Sequence, residues 1–232
     1  MYELIYLLVS THLTIIAVTL YLHRSQSHRS VQFHPMVAHL FRFWLWFTTG
    51  MITREWVAVH RQHHQCPDQA NDPHSPQVYG IWRVLFGGAG LYVRSKSRPE
   101  VLKLGIGTPN DWIENKVYTP YAWLGITLLL LVNLLCFSWW GLLLWAIQMV
   151  WIPFWAAGVI NGIAHWWGYR NHQVNDASRN LIPWAIWIGG EELHNNHHSN
   201  GASAKFSTKP WEFDIGWMYI RILSALRLAH VR

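Results

Sequence analysis

The chain has 232 residues, of which 51% are hydrophobic and only 13% charged, and its 18 Lys and Arg against 12 Asp and Glu give a net charge of +6. This composition excludes an intrinsically disordered chain, and two cysteines exclude a disulfide scaffold. Soluble proteins carry about twice this share of charge, so an integral membrane protein is favoured, and 15 His indicate metal or proton chemistry.

The first predicted element is a membrane-spanning helix over residues 2–22, which has about the 20 apolar residues that a crossing needs. Ser10, Thr11, His12 and Thr14 give this helix one polar side, which favours packing against other helices over contact with lipid all round. A basic start and a small-residue cleavage site are missing, which disfavours a signal peptide.

The second predicted element, residues 35–52, carries His39 and Arg42, which are costly at the middle of a bilayer. We therefore expect a re-entrant or interfacial helix there. Residues 117–169 contain no Asp, Glu, Lys or Arg. The polar break at residues 137–141 predicts that this stretch forms a helical hairpin that crosses the membrane twice.

In the C-terminal region, residues 181–190 are too short to span, and residues 212–229 predict an amphipathic helix on the membrane or on the protein body. No repeat or linker divides the chain, so a single domain over residues 1–232 is the simplest interpretation. The predicted fold class is an all-α integral membrane protein with about three transmembrane helices, a re-entrant or interfacial helix, and a cytoplasmic helical cap that holds a two-metal site.

Three histidine clusters stand out: HRSQSH at residues 23–28, HRQHH at 60–64 and HNNHH at 194–198. The second and third share the spacing i, i+3, i+4, which places three imidazoles on one helix face. Neutral imidazole is a common ligand for Zn, Cu, Fe and Ni. Eight clustered histidines exceed the four ligands of a tetrahedral zinc ion, so two metal ions are predicted. A structural role is expected for the scattered His12, His34, His39, His172 and His230.

The absence of two common zinc-binding motifs excludes two types of metal site. The chain has no CxxC pair, and positions 61 and 195 are Arg and Asn, which excludes a thiolate zinc finger and an HExxH protease. Asn161 and His165 lie four residues apart at the end of the last apolar run, where polar side chains need partners.

Topology decides whether the clusters can meet. The hairpin returns the chain to the membrane face that it left, so the second and third clusters share one side. The first cluster joins them if residues 35–52 do not cross. Every Lys and Arg outside the spans then lies on that side, which the positive-inside rule identifies as the cytoplasm.

HRSQSH, HRQHH, NGIAH and HNNHH follow one another as in the membrane fatty acid desaturases of the stearoyl-CoA desaturase type, which the chain resembles over nearly its whole length. Glu55-Trp56, DPH at residues 72–74, the Glu-Glu-Leu at 191–193 and FDIGW at 213–217 match as well. The resemblance is closest to short proteobacterial acyl desaturases. Eukaryotic members carry a further span before the first cluster, which leaves three or four crossings open.

The resemblance implies a two-iron centre, with Asn161 approaching one iron through a water. The implied ligands are His23, His28, His60, His63, His64, His165, His194, His197 and His198. It implies insertion of a cis double bond into a saturated acyl chain with O2 and two electrons, in a bacterial inner membrane with the site facing the cytoplasm. Zinc is expected to replace iron in recombinant protein, since zinc outcompetes ferrous iron at nitrogen ligands.

The partners follow from the same resemblance. The acyl chain is linked to CoA, a carrier protein or a phospholipid, and the electrons are expected from a separate ferredoxin, rubredoxin or cytochrome b5 type donor. No nucleic acid is expected.

Ligating imidazoles need acceptors at their second ring nitrogen. The candidate carboxylates, which could equally form surface ion pairs, are Asp72, Glu191, Glu192 and Glu55. The candidate substrate contacts are Trp56, Trp151 and Trp155, for which core or lipid packing is the alternative, and Arg54, for which loop charge is the alternative.

Two other function classes stay open at this point. A membrane two-iron hydroxylase of alkyl or lipid substrates shares histidine clusters of this kind. A metal transporter or sensor is the non-enzymatic alternative. A transporter is disfavoured because its ligands should lie in mid-membrane on broken helices.

Overall fold

The computed structural model describes residues 1–232, which are mostly helical. The helices are α1 (Tyr2–Ala17), α2 (Pro35–Thr49), α3 (Thr53–Gln65), α4 (Pro76–Tyr79), α5 (Ile81–Lys96), α6 (Pro99–Leu102), α7 (Ala122–Phe137), α8 (Trp140–Ile152), α9 (His194–Ser199) and α10 (Ile215–Ala225). The strands are β1 (Val31–Phe33), β2 (Trp184–Ala185), β3 (Phe213–Asp214) and β4 (Ala229–Val231). β1 pairs antiparallel with β4, and β2 pairs parallel with β3, so the fold departs from purely α only by two small sheets.

α1 continues without a break as a π-helical segment, Val18–Ser27, that carries the first histidine cluster. Its polar residues are buried against the neighbouring helices. Ser10 Oγ accepts a hydrogen bond from the Gln148 amide at 2.8 Å, and Thr14 Oγ1 accepts one from Trp44 Nε1 at 3.0 Å. The predicted polar side of α1 therefore packs on α8 and α2, which satisfies groups that lipid could not.

α7 and α8 form the predicted helical hairpin. Its turn contains Ser138 in a left-handed conformation with φ 51°. Gly141 at the start of α8 packs so closely on α7 that a Cβ there would lie 2.2 Å from the Asn133 carbonyl oxygen. The Asn133 amide, which is fully buried, donates to Gln148 Oε1 at 2.8 Å. Close backbone contact and an interhelical hydrogen bond thus hold the two helices together.

Beyond Ile152, α8 continues as a π-helical segment, Pro153–Ile160, and ends in a 3-10 turn, Ile163–His165. α5 packs along this segment through small residues, because a Cβ on Gly88 would lie 2.4 Å from the Ala157 carbonyl oxygen. The end of the hairpin is therefore fixed against α5.

α2 packs against α7 and carries the one arginine within the second predicted element. The Arg42 side chain is only 9% exposed and forms ion pairs with Asp111 at 2.6 Å and Glu114 at 3.0 Å. The hydrogen bonds from Arg42 lower the pKa of Asp111 to about 2. These partners offset the cost of burying the guanidinium, and an interfacial or re-entrant position for α2 stays a prediction.

α10 is shorter than the amphipathic helix predicted for residues 212–229. Asp214 begins it by accepting a hydrogen bond from the Trp217 backbone N–H at 2.9 Å. Arg227 takes a left-handed conformation with φ 60° just after it, and the chain then turns into β4. Ile215 and Ile220 bury the apolar face in the protein body.

Two helices are long and apolar enough to cross a membrane, Tyr2–Ser27 and Trp140–His165. α7 is equally apolar but has 16 residues. At 1.5 Å per residue it is about 24 Å long, whereas the hydrocarbon core is about 30 Å thick. The three-span count therefore stays a prediction.

Candidate metal centre

Nine histidine side chains converge at the polar end of the long helices and divide into two groups. The five-histidine group contains His23, His28, His60, His64 and His197. The four-histidine group contains His63, His165, His194 and His198. Within each group, one ring nitrogen per residue lies within 4.8 Å of every other. The structure thus brings together all nine histidines that the resemblance implied.

The first cluster depends on the π-helical geometry at the end of α1. His28 donates its backbone N–H to the carbonyl of His23 at 3.1 Å, five residues back. That is the hydrogen bond of a π-helix, a form that recurs at functional sites. Five residues of an ordinary α-helix would turn the second imidazole about 140° away from the first. The i, i+5 spacing therefore fits this local helix type.

The second and third clusters lie on α3 and α9, as the i, i+3, i+4 spacing predicts. Each cluster divides between the two groups. α3 gives His60 and His64 to the five-histidine group and His63 to the other. α9 gives His197 to the five-histidine group and His194 and His198 to the other. Each of these two helices therefore bridges both groups and fixes their separation.

The distances between ring nitrogens suit metal ligation. Pairs of Nε2 atoms lie 2.9 Å apart for His28 and His60, 3.0 Å for His23 and His197, and 3.3 Å for His63 and His198. Two nitrogens that each lie about 2.0–2.1 Å from one ion, at angles between octahedral and tetrahedral, have this separation. A neutral imidazole without a proton on Nε2 can only accept there, so facing lone pairs need a cation between them.

Burial favours the neutral, metal-binding form of most of these imidazoles. Burial and the neighbouring imidazoles lower the pKa of His60, His194, His197 and His198 well below the ordinary value. Metal ligands must be deprotonated, so neutral rings at physiological pH are ready for coordination. The donor set and its spacing fit two metal ions.

Carboxylates hold the second ring nitrogen of four ligands. Two of them were sequence candidates: Asp72 lies 2.9 Å from His63 Nδ1, and Glu191 lies 2.6 Å from His23 Nδ1. Burial raises the pKa of Glu191 to about 8. This arrangement fixes which nitrogen faces the metal position.

No sequence motif pointed to the other two carboxylates. Asp68 lies 2.8 Å from His165 Nδ1, and Asp176 lies 3.0 Å from His198 Nδ1. Asp68 and His165 are 97 residues apart, so no local spacing connects them. The loop position of Asp68, four residues after His64, was the one available signal.

Glu192 and Glu55 contact other groups. Glu192 accepts hydrogen bonds from the backbone N–H groups of Trp187 and Ile188 at 2.8 and 2.9 Å. It therefore shapes the loop before α9. Glu55 forms an ion pair with Lys96 at 2.6 Å, in keeping with the ion-pair alternative.

An apolar cavity runs from the histidines toward the long apolar helices. His23, His60 and His194 line its polar end, together with Asn161 and Trp56. Trp56 also stacks on His60, with ring centroids 5.0 Å apart and planes 12° from parallel. Apolar side chains from α1, α8 and α5 line the rest.

The remaining substrate candidates lie outside this cavity. Trp151 lines a smaller pocket beside it, and Trp155 packs in the core around α1 and α8. Arg54 is exposed near Gly105. Of the four candidates, only Trp56 lines the main cavity.

Arg24, between the two histidines of the first cluster, is a further residue that supports the site and that no motif indicated. Its fully buried guanidinium lies 3.0 Å from Asp214 and donates to the Ala204 carbonyl at 3.0 Å. It lies 3.8 Å above the ring of Phe206, which packs against His197 with ring centroids 4.7 Å apart. Through Asp214, the FDIGW segment therefore helps to hold Arg24 and Phe206 in place beside His197.

Residues 3–211 match the fatty acid desaturase family. The chain belongs to this family. It is similar to delta-9 acyl-lipid desaturase 2 of Arabidopsis thaliana, at 29% identity over 92% of this chain and 69% of that protein. It is also similar to the sn-1 stearoyl-lipid 9-desaturases of Synechocystis sp. and Anabaena variabilis. These are 32% and 30% identical over 92% of this chain, and over 66% and 77% of those proteins.

The family gives the reaction class. The protein is a membrane-associated fatty acid desaturase, an oxidoreductase that acts on fatty acyl substrates with O2. Its clustered histidines are compatible with a two-metal site in such an enzyme. A hydroxylase is not favoured.

Proposed function

We propose that this desaturase holds two iron ions and inserts a cis double bond at the delta-9 position of a saturated acyl chain. The observation that carries the proposal is the position of both histidine groups at the polar end of the apolar cavity. The delta-9 position is adopted from the names of the Arabidopsis and cyanobacterial relatives. The acyl chain is proposed to be lipid-linked for the same reason.

The reaction removes one hydrogen atom from each of two neighbouring methylene groups and forms a carbon–carbon double bond. O2 accepts these two hydrogens together with two electrons and two protons, and two water molecules leave. Bound iron supplies the oxidant, which no amino-acid side chain can provide. The proposed ligands are the nine histidines of the two groups, with Asn161 as a ligand through water.

The protein itself would position the acyl chain and exclude water from it. The cavity is lined mainly by apolar residues with a few polar groups at one end, as ordinary ligand pockets are. Trp56 lines the cavity beside the histidines, so its indole would contact the reacting carbons. The apolar walls would exclude water from the acyl chain and would hold one pair of methylenes beside the metal ions.

The orientation follows from charge. Apart from Glu3 and Arg24, the charged residues lie outside the two long apolar helices. In the three-span arrangement nearly all of them share the side of the histidines, which supports a cytoplasmic site in a bacterial inner membrane. Electrons would reach the site from a separate ferredoxin, rubredoxin or cytochrome b5 type protein in the cytoplasm.

Lipid analysis in a host without an aerobic desaturase tests the proposal. The full chain is expressed with iron, and the membrane acyl chains are examined by mass spectrometry with location of the double bond. We expect a new cis-monoene at the delta-9 position. Hydroxylated chains, or an unchanged profile in cells that contain the folded protein, would contradict the proposal.

A matched pair of variants separates the metal site from general effects of histidine loss. His63→Ala removes a ligand that is 1% exposed, and we expect the monoene to disappear. His230→Ala removes an exposed histidine of β4 and should leave the monoene in place. Equal loss in both variants would contradict the assigned site.

A further inference from the structure

The two histidine groups differ in the charge that surrounds them. Three ligands of the four-histidine group bind an aspartate through Nδ1: His63 binds Asp72, His165 binds Asp68 and His198 binds Asp176. In the five-histidine group only His23 has such a partner, Glu191. The smaller ligand set therefore has three carboxylates and the larger set has one.

The three aspartates are buried and lack basic partners. Their side chains are 0%, 9% and 7% exposed for Asp72, Asp68 and Asp176. None of them forms an ion pair with Lys or Arg, and the partner of each within 4.0 Å is an imidazole. Asp68 and Asp176 also lie within 4.8 Å of each other around His165. Buried anions need a compensating positive charge nearby.

Basic side chains lie on the other side of the centre. Arg24 follows His23 in the chain, and its buried guanidinium is held by Asp214. Arg61 follows His60 and donates from Nε to the carbonyl of Ser27, next to His28. The five-histidine group thus has two guanidiniums and two carboxylates, Glu191 and Asp214, around it, which makes its surroundings less negative than those of the four-histidine group.

We propose that the four-histidine group is the tighter metal site and stabilises the more highly charged ion, with Asp68, Asp72 and Asp176 as its positioning residues. A carboxylate on the far ring nitrogen makes imidazole a more basic ligand, and its charge acts on the ion through the ring. Three such carboxylates favour a bound cation, and they favour loss of an electron from it. This inference rests on the two-metal centre of the proposed function.

Stepwise metal release tests the order of affinity. The full-length protein in detergent is loaded with Zn²⁺, which has no redox chemistry, and is then titrated with a chelator while bound zinc is measured by elemental analysis. We expect two ions that leave in separate steps. Asp176→Asn should weaken the ion that leaves last by about 10–100-fold, whereas Glu191→Gln should weaken only the ion that leaves first.

Conservative variants separate charge from structure. Asn keeps an oxygen that can accept from His198 Nδ1, so a loss in Asp176→Asn reports the charge. Asp176→Glu keeps the charge and should restore a substantial part of the affinity. If Asp176→Glu and Asp176→Asn lose the last ion equally, the charge argument is wrong.

Iron gives a second readout that does not depend on turnover. Mössbauer spectra of the ⁵⁷Fe-loaded protein after partial oxidation should show one iron oxidised before the other, and Asp68→Asn should remove this preference. Glu191→Gln should keep it. If Glu191→Gln weakens the last-released ion, or if the aspartate variants change only the first, the proposal is overturned. A wild-type chain that binds fewer than two ions would instead contradict the two-metal centre.

Discussion

His63 and His64 are neighbours in the chain, yet their ring nitrogens belong to different metal-binding groups. His63 Nε2 lies 3.3 Å from His198 Nε2, whereas His64 Nε2 lies 3.1 Å from His197 Nε2. The same division therefore occurs on α3 and on α9, where His197 and His198 are also adjacent. Two short helices that face each other in this way fix two ligand sets with one pair of motifs.

This division predicts that single histidine variants lose one metal ion each. In His64→Ala, the five-histidine group keeps four ligands and the four-histidine group is intact, so the stoichiometry should fall toward one tightly held ion per chain after dialysis against a weak chelator. His63→Ala should likewise lose the ion of the four-histidine group and keep that of the five-histidine group. His172→Ala, outside both groups, is the control and should retain two ions by elemental analysis. Retention of two ions in His63→Ala or His64→Ala would contradict the ligand assignment.

The ion pair of Arg24 and Asp214 should matter for stability. Arg24→Ala leaves Asp214 buried without a cation, and breaking a buried pair costs about 3–5 kcal/mol. We expect a clearly lower midpoint of thermal unfolding in detergent. Arg221→Ala is the control, because Arg221 is exposed on α10 and forms no ion pair, and exposed charges contribute at most about 1 kcal/mol. Equal midpoints for the two variants would refute this role of Arg24.

Ile152 separates the main cavity from the smaller pocket and should limit the length of the acyl chain. It lines both spaces, and the smaller pocket is otherwise lined by Thr11, Thr14, Thr48, Gln148 and Trp151. Ile152→Ala removes the partition, so we expect the monoene products to shift toward longer chains in lipid analysis.

Leu144→Ala is the matched control for Ile152→Ala. Leu144 lies on α8 and is buried, but it lines neither space. Its loss loosens the helix packing without lengthening the cavity, so the product profile should stay that of the wild type. An identical profile in Ile152→Ala would show that Ile152 does not set the length.

The contact between α5 and the end of the hairpin should depend on Gly88. A Cβ at this position would lie 2.4 Å from the Ala157 carbonyl oxygen, so Gly88→Ala must push the backbones apart and lower the unfolding midpoint. Gly90, two residues later on the same helix, has nothing within 4 Å of such a Cβ. Gly90→Ala should be neutral or stabilising by about 0.5–1 kcal/mol, because alanine favours the helix. A lower midpoint in Gly90→Ala than in Gly88→Ala would contradict this packing.

The sequence could predict elements whose evidence is local. The uncharged stretch with a polar break predicts the hairpin of α7 and α8, and the i, i+3, i+4 spacing places three imidazoles on one helix face. The C-terminal helix is shorter than predicted. The amphipathic pattern continues past Ala225, but pairing of β4 with β1 ends the helix. That pairing joins Val31 to Val231, and no local sequence pattern predicts a contact between residues 200 positions apart.

The sequence by itself determined where eight clustered histidines lie, because short spacings repeat, and the specific order of the motifs carried the resemblance that added His165 to the predicted site. Only the tertiary structure decided how they divide into groups and which carboxylates face them. Asp72 and Glu191 reach imidazoles, while Glu55 turns to Lys96, and Asp68 and Asp176 take places that the sequence left unassigned. The reason is physical: local spacing sets the helix face of a side chain, but its partner is set by which distant segments pack together.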